Sequence, residues 1–486
     1  MGDIPLGLSF DDVLLVPQFS EVIPDEVNVG THLAPDFPLH IPIISSAMDT
    51  VTEAELAIAL AREGGLGVIH RNIPIDVQAE QVARVKRSEN TVILDPFTVD
   101  SAMTLDELQQ VMAERGVSGF PVVDVEGVLL GMVTTRDIWY IEDSQRTVAD
   151  VMTPRDRLIT ASKVSRLSDA REILYKNRIE KLPLIDEATG KLTGLITSQD
   201  IEKRQQFGNA CKDPNGQLRV GGAVGVGEDC MDRADALLDA GVDALFIDAA
   251  TGHTSRVESV VEKLVAKSGD NAIVVAGNVV TQEGAKALVG AGASAVKVGV
   301  GPGSICTTRV ISGVGVPQFS AVREVAEYCA ENGVTAIADG GIRYSGDIVK
   351  ALAAGSGCVM LGSLLAGTQE SPGNTVNFQG RTFKEYRGMG SLKAMRKGSS
   401  DRYGQNASGK LVAEGVEARV PFKGALGDVV FQLLGGLRSG MGYLGAKTLV
   451  ELHERAKFVR ITAGGLRESH PHDITITEEP VNYQSM

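Results

Sequence analysis

Eight short apolar runs constrain the fold of this chain more than any other feature. In order they read "IPIISSAMDT", "GLGVIHRN", "VGGAVGVG", "ALFIDAATGH", "IVVAGNVV", "AVKVGVGPGS", "AIADGGI" and "CVMLGS". Each is rich in β-branched residues and closes on Gly, Ser, Asp or Asn. Segments such as "CMDRADALLDAG" and "TQEGAKALVGAG" separate the later runs and carry apolar residues at helical spacing. Eight strands alternating with helices predict an α/β fold with a parallel sheet, and eight is the number that closes a (β/α)8 TIM barrel. A doubly wound open sheet is the competing arrangement. It is disfavoured because "GVGPGS" and "GVGEDC" fail the G-x-G-x-x-G dinucleotide fingerprint.

Two stretches break this rhythm, and at 486 residues the chain has room for two to four domains. The first runs from about residue 92 to 206 and contains an internal repeat. "GFPVVDVEGVLLGMVTTRDI" matches "KLPLIDEATGKLTGLITSQDI" with one residue inserted, each copy reading as strand, turn, strand and helix start at T-x-x-D. These copies resemble a pair of CBS domains, a module that in many proteins binds adenine or guanine nucleotides. The resemblance implies Thr134, Asp137, Thr197 and Asp200 as phosphate and ribose contacts for a regulatory nucleotide. Helix capping is the plainer role of the two aspartates, and the roles are compatible. The second stretch, about 379–424, is polar, basic and Gly-rich, without hydrophobic periodicity. It reads as an irregular insert of the kind that forms mobile flaps. The expected domains are a barrel from 1–91 and 207–486, a tandem CBS (Bateman) domain over 92–206, and the flap within the second barrel part.

Composition narrows the function classes. A hydrophobic content of 43% with 22% charged residues is that of a soluble globular protein. A formal charge of −15 argues against a general nucleic-acid surface. The five cysteines have no metal-ligand spacing. No apolar run is long enough for a bilayer, and "MGDIPLGLSF" lacks a signal-peptide pattern. A cytoplasmic, reduced protein without membrane attachment is expected.

In a (β/α)8 barrel, chemistry gathers where the strands end. Here those ends carry "SSAMD", "HRN", "DAATGH", "GN", "GPGSICTT", "ADGG" and "GS". "ADGG" and "LGS" follow strands seven and eight, the phosphate-binding place of this architecture, where glycine amides can face an anion unobstructed. Asp339 stands beside them as an acceptor for both hydroxyls of a ribose, or as a buried helix cap. Cys306 follows a glycine-rich turn. A small apolar cysteine is ordinarily core filling, and a reactive one needs local positive potential.

"SSAMDTVTE", "GVGPGSICTTR", "ADGGIRYSGD", "YRGMGS" and "DRY", in that order, resemble the inosine-5'-monophosphate dehydrogenase family. The likeness runs from "LSFDDVLL" to "RESHPHD", essentially the whole chain. It implies NAD-dependent oxidation of inosine monophosphate (IMP) to xanthosine monophosphate, in guanine nucleotide synthesis. Cys306 would add to carbon 2 of the purine, hydride would leave to NAD, and water would hydrolyse the covalent thioimidate. The catalytic set implied is Cys306, Thr308, Arg402, Tyr403 and Glu414, with Arg402 as the family's proposed base for water and Thr308 and Glu414 as a second proton route. A guanidinium is almost always protonated, so a purely electrostatic Arg402 is the alternative.

For the substrate, the resemblance implies phosphate against Ser304, Gly341, Gly362, Ser363 and Tyr386, and ribose on Asp339. The base would lie near Ser46, Met48, Asn278, Met389, Gly390 and Glu414. It implies cofactor contacts from Asp248, Gly299 and Gly301. A potassium ion would sit on carbonyls of Gly301, Gly303 and Cys306, completed by Glu468, Ser469 and His470 of a neighbouring subunit. A homotetramer or octamer follows. The rival readings are a guanosine monophosphate (GMP) reductase, against which the "DRYGQ" flap and the 92–206 insert are expected to discriminate, and a nucleotide-sensing assembly protein without chemistry.

Overall fold

The computed structural model describes residues 4–89, 96–115, 117–141, 143–162, 167–198, 201, 207–405, 409–478, 480 and 482–483. The chain divides into two compact units, Met1–Ser88 with Asn209–Met486, and Glu89–Gly208.

The first unit is built on one eight-stranded sheet. Its strands are β1 (Ile43–Ser45), β2 (Gly67–Ile69), β3 (Val220–Val224), β4 (Ala244–Ile247), β5 (Ile273–Val279), β6 (Ala295–Val298), β7 (Thr335–Asp339) and β8 (Cys358–Leu361). All neighbours pair in parallel, in the order β1-β8-β7-β6-β5-β4-β3-β2. The sheet closes on itself: Ser45 N–H donates to Leu66 O at 3.0 Å, and Leu66 N–H to Ile43 O at 3.1 Å. The eight apolar runs are these eight strands, and the barrel is closed.

Helices alternate with the strands because their apolar residues fall on one stripe. The helix after β4, Ser255–Ser268, buries Val257, Val260, Val261 and Leu264, a 3–4 spacing that faces the sheet. Thr254 caps its start, accepting from Val257 N–H at 3.2 Å, and Gly269 at φ 50° ends it. Each such side chain contributes roughly 1.5–3 kcal/mol by leaving water, and Leu264→Ala would cost about 2–5 kcal/mol. Inside the barrel, Ile44, Val68, Ala223, Phe246, Val275, Ile337 and Met360 form one cluster with Leu33, Phe37 and Leu39. The last three belong to a hairpin, Thr31–Ala34 with Phe37–Leu39, that precedes β1 and plugs the end where the strands begin. The opposite end is left for the cleft.

The polar stretch near 379–424 is less irregular than its composition suggests. Arg381–Arg387 pairs antiparallel with Thr375–Phe378 on one side and Glu417–Pro421 on the other. Alternation was masked by Lys384, which takes an inward position and donates to Ser371 O at 2.7 Å. The part that leaves this sheet and returns to it spans 388–416.

In the second unit each repeat copy forms its antiparallel pair: Gly119–Val123 with Leu129–Thr134, and Lys181–Ile185 with Leu192–Thr197. The first pair buries Phe120, Val122 and Val133 under helix Leu105–Arg115, and the second buries Leu182, Leu184 and Ile196 under Leu167–Asn177. The turns join the copies, Leu129 N–H donating to Gly190 O at 3.1 Å and Leu192 N–H to Gly127 O at 3.0 Å. Asp137 Oδ2 accepts from both the backbone and the hydroxyl of Thr134 at 2.7 Å, so it caps the turn Thr135–Ile138. Thr197 ends its strand, and Asp200 lies outside the described residues.

Candidate active site

A cleft of about 370 Å³ opens where the barrel strands end. Ser46, Met48, Asn278, Gly299, Gly301, Gly303, Ser304, Cys306, Thr308, Asp339, Gly341, Gly362, Ser363, Tyr386, Met389, Gly390, Arg402, Tyr403 and Glu414 all line it. Residues from eight separate segments thus converge, because each follows a barrel strand or belongs to the insert.

One side is made of glycines and hydroxyls. Gly340 and Gly341 leave β7 at φ 92° and 78°, a region open to glycine and strained for other residues. After β8, Gly362 leaves room that a Cβ would fill to 2.9 Å from the Tyr386 hydroxyl. Tyr386 itself is buried, which pushes its phenol up to about 12 and keeps it a neutral donor. Its hydroxyl contacts Met48 Sδ at 3.9 Å.

Beneath the cleft, Asp339 Oδ2 accepts from Asn278 Nδ2 at 2.8 Å, and Asn278 Oδ1 accepts from Lys297 Nζ at 2.8 Å. Lys297 is 5% exposed. Burial lowers its pKa, against the pull of Asp339 and Asp248. Sequence reasoning passed over Lys297, although a lysine inside the apolar run "AVKVGV" was the available signal.

Of the five cysteines, four are buried and Cys306 alone is half-buried at the cleft. Burial raises the thiols of Cys211, Cys329 and Cys358 to about 12 and that of Cys230 to about 11, which makes them inert. The Cys306 thiol donates to Thr308 Oγ1 at 3.1 Å. Its loop is clamped to the returning arm of the insert: Thr307 N–H donates to Glu414 O, and Val416 N–H to Ile305 O, both at 3.0 Å.

The other side of the cleft is charged. Arg402 and Tyr403 reach in from the insert, and Arg402 Nη1 donates to Asp248 Oδ1. Asp248 therefore does not face the open cleft; it is 4% exposed and also accepts from Arg71 Nε at 3.1 Å. Burial would raise its carboxyl, but Arg402, Arg71 and Lys297 outweigh burial and hold it below the ordinary range. Burial likewise opposes the Arg402 charge, but Asp248 and Tyr403 overcome it, so Arg402 is firmly cationic. The Tyr403 phenol is pushed up to about 12 by burial. Arg71 was not singled out from sequence, although "HRN" sits at a strand end.

Glu468, Ser469 and His470 do not line the cleft. Ser469 and Glu468 are exposed, while His470 packs its ring 6.0 Å from that of Tyr344. Among the described residues no cluster of three His, Cys, Asp or Glu could hold a metal ion. No helix among them is long and apolar enough to cross a membrane.

Residues 7–472 match the family model described as IMP dehydrogenase / GMP reductase domain. The chain is 58% identical over 480 residues to the inosine-5'-monophosphate dehydrogenase of Aquifex aeolicus, covering 98% of this chain and 97% of that one. It is 55% identical to that of Halalkalibacterium halodurans, covering 98% of each. A crystal structure of Trypanosoma brucei GMP reductase in complex with guanosine 5'-monophosphate superposes with a TM-score of 0.89 at 41% identity, over 97% of this chain and 99% of that one. That coverage takes in the 92–206 insert, so the insert does not separate the two activities as expected from sequence. With the family model covering nearly the whole chain and such relatives spanning it end to end, the chain belongs to the IMP dehydrogenase / GMP reductase family.

Proposed function

We propose that this enzyme oxidises IMP to xanthosine monophosphate with NAD and water, in guanine nucleotide synthesis. The single observation that carries the reading is Cys306, the one half-buried thiol, held at a barrel rim between glycine amides and an inserted Arg-Tyr pair. The higher identity to curated dehydrogenases, 58% and 55% against 41% for the reductase structure, supports oxidation over reductive deamination.

In this reading the phosphate lies on Ser304, Gly341, Gly362, Ser363 and Tyr386, with Asp339 taking the ribose hydroxyls. Asn278 and Lys297 hold Asp339 in place. Cys306 adds to carbon 2 of the purine and hydride passes to NAD, leaving a thioimidate for water to hydrolyse. Asp248 would hold the nicotinamide ribose, and the bare backbone at Gly299 and Gly301 would let the dinucleotide approach. Arg402 must then leave Asp248 while NAD is bound and return once NADH has gone. Once back, it acts as a fixed positive charge beside the reacting carbon. Thr308 and Glu414, both at the cleft, carry the proton from water.

The loop from Gly301 to Cys306 suits a potassium ion, a hard cation satisfied by backbone carbonyls. Gly301 lies at φ 77°, and a Cβ there would meet Arg309 Cγ at 2.6 Å, so the loop depends on glycine. Glu468, Ser469 and His470 of a second copy would complete the site, in a tetramer or octamer. The unit Glu89–Gly208 supports a regulatory CBS pair binding purine nucleotides. Five free thiols fit the cytoplasm.

Mixing the protein with IMP and NAD and following the NADH absorbance band tests the function directly. Sustained NADH formation is expected. Consumption of NADPH with GMP, and no NADH from IMP, would overturn the reading in favour of the reductase.

A further inference from the structure

Arg71 takes no part in the chemistry described above, yet it is 7% exposed and two of its three nitrogens are paired with carboxylates. Nε donates to Asp248 Oδ2 at 3.1 Å, and Nη2 donates to Asp401 Oδ1 at 2.8 Å. Asp248 spends its other oxygen on Arg402. Two adjacent insert residues of opposite charge, Asp401 and Arg402, therefore meet two barrel residues of opposite charge, Arg71 and Asp248. Four charges alternate in a row, Asp401–Arg71–Asp248–Arg402. The barrel makes room for it: a Cβ at Gly225 would lie 2.9 Å from Arg71 Nη1 and 3.0 Å from Asp401 Oδ2. Backbone adds a further tie, Ala250 N–H donating to Arg402 O at 3.1 Å.

We propose that Arg71 is a positioning residue for the hydrolytic half of the reaction, latching the insert closed through Asp401 and thereby seating Arg402. The inference rests on the proposed IMP oxidation. A planar guanidinium suits this role because its fork spans two carboxylates at once, which an ammonium does not. When the insert withdraws, Arg71 keeps Asp248 and loses Asp401. Its second bond therefore favours the closed arrangement alone, and only a contact that differs between two states can shift their populations.

Two variants test the latch. Asp401→Asn weakens the insert side and leaves the Arg71–Asp248 pair intact, and Arg71→Met removes the fork. Both should lower steady turnover roughly ten- to a hundredfold, and Asp401→Asn, which leaves Asp248 its partner, should keep the first NADH burst at about one equivalent per site. The double variant should lose little more than either single one. A second readout is independent of chemistry: trypsin should cut after Lys397 or Arg402 faster in both variants than in the parent. Burst and steady turnover slowing together in Asp401→Asn, additive effects in the double variant, or unchanged trypsin cleavage would each overturn the latch. Absence of NADH from the unaltered protein would instead overturn the function itself, so the two failures are distinguishable.

Discussion

The two walls of the cleft are built from different materials. The wall after β7 and β8 is backbone and neutral hydroxyls: Gly340, Gly341, Gly362, Ser363 and the phenol of Tyr386. The other wall carries Arg402, which lines the cleft and is held from behind by an ion network with Asp248, Arg71 and Asp401. Backbone amides fixed by strand ends cannot be withdrawn without unfolding a strand. Side-chain ion pairs between a barrel loop and an insert can be exchanged for other partners, because each member can be satisfied by a ligand or by water. A substrate nucleotide that stays through two chemical steps suits the first wall. A position shared in turn by a cofactor and a catalytic arm suits the second.

Removing the proposed nucleophile should have the largest effect. Cys306→Ala should abolish turnover, measured as NADH formation, while calorimetry still finds IMP bound, because the proposed phosphate and ribose contacts lie on other residues. Next comes the charged wall: Arg402→Ala should lower steady turnover by about two to three orders of magnitude. Its IMP affinity should stay near that of the parent. The backbone wall is probed by Gly341→Ala, at φ 78° with Gln318 Cβ 3.4 Å from the new methyl. It should raise the KM for IMP about tenfold, the worth of roughly 1–2 kcal/mol of left-handed strain, without changing the ratio of burst to steady rate. If that ratio moved, the two walls would not be separate. Smallest should be the effect of replacing 92–206 with a short Gly-Ser linker. The residues described as lining the cleft all belong to the barrel unit, so basal turnover should remain within about twofold while any response to purine nucleotides disappears.

The backbone wall was legible in the sequence because it is local. A run of β-branched residues ending in "ADGG" or "LGS" carries its own strand, its own turn and its own place on the barrel rim. Cys306 was legible for the same reason, once the glycines around it marked a loop rather than core. The charged wall was not legible. Arg71 and Asp401 are 330 residues apart in sequence, and nothing in "HRN" or "DRY" says that the two will meet. Their pairing exists only because the barrel closes and the insert folds back over it. Lys297 was hidden differently: a single cation in an apolar strand reads as an exception until Asn278 and Asp339 are found against it. The sheet at the base of the insert escaped because the inward Lys384 interrupts the alternation that marks a strand.

The central claim is that Arg402 serves hydrolysis alone, while Cys306 carries the hydride-transfer step without it. It is tested most directly by acid-quenching Arg402→Ala after mixing with IMP and NAD, then weighing the intact protein. The account predicts a nucleotide adduct on Cys306 that accumulates as one burst of NADH appears, at about one equivalent per site. No adduct, with burst and steady turnover slowed to the same degree, would contradict it.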